Sequence, residues 1–152
     1  KLSDTASYVT YYKGKLWAGA YNEKTKKYMY GYTIQNKTGV PTLVQTNRIL
    51  MPNRTQGVAF TSGGKMLVSR SCQTKKGKSG FISRLDVYKP TWNLSKKTIK
   101  KNKRKKIVQL PPMNEGIAVS GSYTYIIFES AAFSECKAPV DRVMAFKTSK
   151  IS

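Results

Sequence analysis

One strand–turn–strand unit is written three times in this chain, and that repetition limits the fold more than any other feature. Tyr8-Val9-Thr10-Tyr11-Tyr12 leads through Lys13-Gly14 to Leu16-Trp17-Ala18-Gly19. Val58-Ala59-Phe60 leads through Ser62-Gly63-Gly64 to Met66-Leu67-Val68, and Ile117-Ala118-Val119 leads through Ser120-Gly121-Ser122 to Tyr123–Phe128. β-Branched and aromatic residues fill the runs and glycine takes the turns, the pattern of a β-hairpin. Laid over one another from Ser7, Gln56 and Glu115, the copies place Tyr8, Gly57 and Gly116 in one column and Val9, Val58 and Ile117 in the next. Leu16, Met66 and Tyr125 open the second strand; Ala20, Arg70 and Glu129 close it. A third strand matches at 27–32, 83–88 and 141–146, and an outer strand precedes the next copy twice, at 48–52 and 106–111.

Four strands per period of roughly 50 residues is the signature of a β-propeller blade. Helix signals are scarce, because no long segment repeats apolar residues at i, i+3, i+4 and i+7. The expectation is an all-β chain of about three four-stranded blades, at 1–52, 53–111 and 112–152, forming one partial propeller domain. A β-sandwich with similar hairpins is the alternative. Propellers typically close with about four to eight blades, and an open arc would leave two apolar blade faces wet. The missing blades are therefore expected from an N-terminal half of the same propeller or from a second copy. Lys1, which opens the chain inside a blade, favours the first.

Charge narrows the partners. The 152 residues carry 28 Lys and Arg against 7 Asp and Glu, a formal charge of +21. Such a chain is drawn to polyanions: nucleic acid, anionic lipid or anionic wall polymer. The run at 96–106 is dominated by Lys and Arg and falls on the rim between a third and an outer strand, yet the excess is spread over the whole sequence. A diffuse excess suits adsorption to an anionic wall polymer or membrane surface and argues against sequence-specific nucleic-acid recognition, which needs base-reading side chains set in a groove. No apolar run is long enough for a transmembrane helix. The chain has no histidine, which removes His-based catalytic triads, His-ligated zinc and an imidazole pH switch.

The stretch from Arg54 to Ser69, Arg-Thr-Gln-Gly-Val-Ala-Phe-Thr-Ser-Gly-Gly-Lys-Met-Leu-Val-Ser, resembles the Asn-Gly-Ile-Ala-Phe-x-Pro-Asp-Gly-Lys blade motif of the six-bladed SMP-30/gluconolactonase-like propellers. Asn114-Glu115-Gly116-Ile117-Ala118-Val119 is similar to another opening of that kind. Secreted bacterial propeller proteins with a Glu-Gly-Ile-Ala element followed by Phe-Glu-Ser, here Phe128-Glu129-Ser130, are similar too. The resemblance implies a divalent metal, often calcium, at the channel mouth. Glu115 matches a ligand position, and Gln56 stands where the family has Asn and can still offer a carboxamide oxygen. Gly63 replaces the Asp of the family's turn, which weakens the match.

Propeller geometry sets the loop entering each inner strand and the loop leaving the second strand on one face. Asp4, Gln56 and Glu115 fall in the first class; Tyr21, Asn22, Arg70, Ser71, Glu129 and Ser130 fall in the second. Tyr21, Asn22, Gln56, Arg70, Glu115 and Glu129 are the candidate ligand-binding residues. Arg70 and Glu129 share a column, so a salt bridge between neighbouring blades is the competing expectation for them. Asp141-Arg142 and Arg84 with Asp86 read as structural ion pairs, and alternating Tyr28, Tyr30 and Tyr32 as cross-strand packing. Asn53-Arg54-Thr55 is one of three weak N-glycosylation patterns. Cys72 and Cys136 lie in equivalent loops of adjacent units, which favours a disulfide over two free thiols and hence an extracellular or envelope location. The leading functional reading is a secreted or cell-envelope propeller that binds a ligand at its channel mouth, its basic surface favouring anionic polymers. A metal-assisted hydrolase resembling the lactonases and a charge-driven polyanion or nucleic-acid binder are the alternatives, and the sequence leaves enzymatic activity open.

Overall fold

The computed structural model describes residues 5–36, 39–71, 83–89, 104–130 and 139–152. They form three antiparallel sheets in chain order. The first sheet is β1 (Tyr8–Tyr12), β2 (Lys15–Gly19), β3 (Tyr28–Asn36) and β4 (Pro41–Leu50). The second is β5 (Thr55–Phe60), β6 (Met66–Ser71), β7 (Ser83–Tyr88) and β8 (Arg104–Gln109). The third is β9 (Asn114–Ser120), β10 (Tyr123–Phe128) and β11 (Met144–Lys147), followed by the single-turn helix α1 (Thr148–Ile151). Each sheet is a meander in which every strand pairs with its neighbour in sequence. The all-β expectation holds, with sheets of four, four and three strands among the described residues. The third strand of the last unit begins at Met144, three residues later than the repeat implied, and β4 begins earlier, at Pro41.

The middle sheet is covered on both faces, and strand alternation is the reason. Met66 and Val68 of β6 point with Val58, Phe60 and Tyr88 toward the first sheet, where they meet Trp17, Met29, Ile49 and Met51. Leu67 points the other way, with Leu85 and Val87, against Ile117, Val119, Phe146 and Ile151. All six residues of β6 are consequently buried. Removing each large apolar side chain from water contributes about 1.5–3 kcal/mol. Trp17 has no solvent exposure and lies over Gly31, where a Cβ would fall 2.9 Å from the indole ring.

The two end sheets each leave one face uncovered. On the first, Val9 and Tyr11 are 60% and 64% exposed; on the third, Tyr123, Tyr125 and Ile127 stand out in solvent. Here the repeat needs a correction. Leu16 pairs with Tyr11 and Met66 with Phe60, but Val119 pairs with Thr124, so Thr124 and not Tyr125 occupies the column that opens the second strand. A slip of one residue exchanges the two faces. Thr124 is fully buried, whereas Tyr125 is exposed.

Candidate functional site

The inner strands β1, β5 and β9 lie side by side, and their first residues converge. A left-handed residue precedes two of them: Arg54 (φ 62°) before β5 and Met113 (φ 59°) before β9. A side chain other than glycine seldom adopts this conformation, and it commonly marks functional turns. Each of these residues accepts a backbone hydrogen bond from the end of the second strand, Arg54 O from Ser71 N and Met113 O from Glu129 N. The bends aim the residue two positions on, Gln56 in one case and Glu115 in the other.

Gln56 and Glu115 meet. Gln56 Nε2 donates to Glu115 Oε1 at 2.8 Å, and Ser71 Oγ donates to the same oxygen at 3.4 Å. Close backbone approach makes the contact possible: a Cβ on Gly57 would lie 2.9 Å from the Glu115 carbonyl oxygen and 3.1 Å from Ile117. Around them opens a cleft of about 270 Å³. Ser7, Gln56 and Glu115, one residue from each copy, sit on its wall; Val9, Ile117 and Ile127 supply apolar lining. Tyr8 also lines it, and its hydroxyl is buried with no hydrogen-bond partner among the described residues. Burial raises the proton affinity of that phenol.

Half-burial pushes the Glu115 carboxyl up to about 7, and the negative charge of Glu129 adds to the effect. The hydrogen bonds from Ser71 and Gln56 oppose it without cancelling it. Near neutral pH this group is therefore present both as acid and as carboxylate. It can donate to one ligand atom or accept from another, and it could exchange a proton with a bound substrate.

The other candidates do not line this cleft. The Tyr21 amide donates to Ser7 Oγ, which ties the first two loops together. Asn22 turns inward on its own loop, accepting from the amides of Lys24 and Thr25. Glu129 is exposed. Its backbone role matches that of Ser71, so the column partner of Arg70 is Phe128; the β9–β10 turn is one residue shorter than the β5–β6 turn, which accounts for the offset. Arg70 accordingly bridges to Asp86 and not to Glu129. Its Nη1 lies 2.8 Å from Asp86 Oδ2, its Nε donates to Asn53 O and its Nη2 to Asn53 Oδ1. Arg84 at 2.9 Å and Arg104 at 3.7 Å share the same fully buried carboxylate, so the expected structural pairing of Arg84 with Asp86 is present. Burial and the Asp86 charge push the neighbouring Tyr88 phenol up to about 12. Asn53 also donates to Glu23 O, which uses the carboxamide of one glycosylation pattern inside the fold.

Asn114 escaped the sequence reading as a structural residue. It is fully buried and bonded to Ser69 and Ser83, and thereby pins β9 to the middle sheet. Asp141 pairs with Arg142 in solvent, ahead of β11. Asp4, Cys72, Cys136 and residues 96–103 lie outside the described residues.

Calcium takes about six to eight oxygen ligands. Glu115 and Gln56 supply two side chains, and no group of three His, Cys, Asp or Glu gathers among the described residues. None of the described helices is long and apolar enough to cross a membrane. No protein-family model, curated protein or solved structure matches the chain.

Proposed function

We propose that these three sheets are blades of a six-bladed propeller resembling the SMP-30/gluconolactonase-like proteins, secreted or held at the cell envelope, which binds a small polar ligand at the mouth of its channel. The observation that carries the reading is the hydrogen bond between Gln56 and Glu115, equivalent residues of successive repeats brought together in one cleft. Adjacent inner strands, a middle sheet covered on both faces and end sheets with uncovered apolar faces all support an arrangement in which further sheets, from an N-terminal half or a second copy, continue the ring. Glu129, the counterpart of Ser71, then faces the inner strand of the next blade as Ser71 faces Glu115. The cationic surface keeps the protein near anionic polymers.

Thermal-shift titration with a panel of sugars, sugar acids, lactones and amino acids tests the ligand site. At least one compound is expected to raise the melting temperature of the wild type and to lose that effect in Gln56→Ala and Glu115→Ala. A shift that survives both substitutions, or a panel without any shift, overturns the reading. The lactones are followed for turnover in the same samples.

A further inference from the structure

We propose that Lys65, Lys105, Lys106 and Lys150 form a strip that grips a linear phosphate polymer. The inference rests on the anionic-polymer part of the proposed function and is independent of the Glu115 cleft. Three separate elements build the strip: the β5–β6 turn supplies Lys65, the outer strand β8 supplies Lys105 and Lys106, and α1 supplies Lys150. The C-terminal turn ties them together. Lys65 Nζ donates to Ser152 Oγ at 3.4 Å, and Lys106 Nζ to the Lys150 carbonyl at 2.9 Å.

Among the described residues, no Asp or Glu side chain neutralises the strip. The described carboxylates are engaged elsewhere: Glu23 with Arg54, Asp86 with its three arginines, Glu115 with Gln56, and Asp141 with Arg142, while Glu129 lies close enough to Glu115 to influence it. The Lys65 amine holds its proton less tightly than an ordinary lysine, first through desolvation and then through the charges of Lys105 and Lys106. Ammonium groups held this close favour an anion that spans them. Lys65 also sits at the far end of β5 from Gln56. Four residue steps separate Gln56 from Phe60, roughly 13 Å of strand, so strip and cleft are distinct surfaces.

Exposed lysines drawn from three elements suit an extended anionic chain that touches them in turn. The β5–β6 turn, β8 and α1 carry no aromatic residue, so these three elements themselves offer no ring on which a base could stack. Lysine acts on phosphate as a point charge and needs no planar recognition. A phosphate polymer without stacking bases is the partner this chemistry favours.

The test is fluorescence-anisotropy binding of labelled inorganic polyphosphate at several salt concentrations. Two triple variants are compared: Lys105→Gln/Lys106→Gln/Lys150→Gln on the strip, and Lys24→Gln/Lys26→Gln/Lys27→Gln on the β2–β3 loop. Both lower the net charge equally, and the strip substitutions fall on exposed side chains. By counterion release, loss of three contacts makes the slope of log K against log salt shallower by about 2. Raising salt fourfold then weakens the wild type about 16-fold more than the strip variant. The loop variant should keep the wild-type slope. Equal losses in both variants overturn the strip while leaving polymer affinity intact. No binding of polyphosphate by the wild type overturns the polymer reading itself. Tighter binding of mixed-sequence single-stranded DNA of matched charge overturns the choice of a base-free polymer.

Discussion

Glu115→Gln should make this protein more stable at pH 8 and leave it unchanged at pH 5. A carboxyl whose pKa climbs from 4.5 to about 7 on folding is favoured by the native state in its protonated form. Between those values the folded chain binds more protons than the unfolded one, so stability is full below the lower value and falls as pH rises through the upper one. The whole displacement would correspond to about 3 kcal/mol. Solvent screens the half-buried group, which leaves about 1–2 kcal/mol. For a chain of this size that is roughly 3–6 °C in melting temperature. Glutamine preserves the shape and can still accept from Gln56 Nε2, so the charge is the main thing removed. The window is unusually clean because the chain has no histidine to titrate in it. Melting curves of wild type and variant from pH 5 to pH 8 are the assay. A constant difference across the range, or a wild type that gains stability relative to the variant as pH rises, would refute the account of the cleft.

Glu129→Gln should lower the Glu115 pKa without restoring its ordinary value, because burial is the larger cause; the midpoint of the pH–stability curve reads this directly. Gly57→Ala should cost about 1–3 kcal/mol in urea unfolding, since the new methyl meets the Glu115 carbonyl oxygen at 2.9 Å and the strands must part; an unchanged midpoint would contradict the close approach. Asp86→Ala should cost about 3–5 kcal/mol, because Arg70 loses its buried partner and two more guanidiniums stand nearby. Tyr8→Phe removes a buried hydroxyl without a described partner and is expected to be neutral or stabilising by about 1 kcal/mol; a clear loss of stability would mean that the hydroxyl is bonded after all.

Local structure is legible in the sequence. Period-two apolar runs and turn glycines mark the hairpins at 8–19, 55–71 and 114–128, because strand pairing across a tight turn depends on neighbours in sequence. The same repeat marks Ser7, Gln56 and Glu115 as equivalent, and the structure sets all three around one cleft. Packing between sheets decided the rest. Arg70 turned to Asp86 because both side chains face the first sheet, a choice between partners that spacing does not encode. Tyr125 stayed outside and Thr124 went in because a shorter turn altered the register by one residue. The proton affinity of Glu115 likewise has no sequence signature. It arises from desolvation and a second carboxylate brought close by separate strands, and both exist only once the sheets have packed.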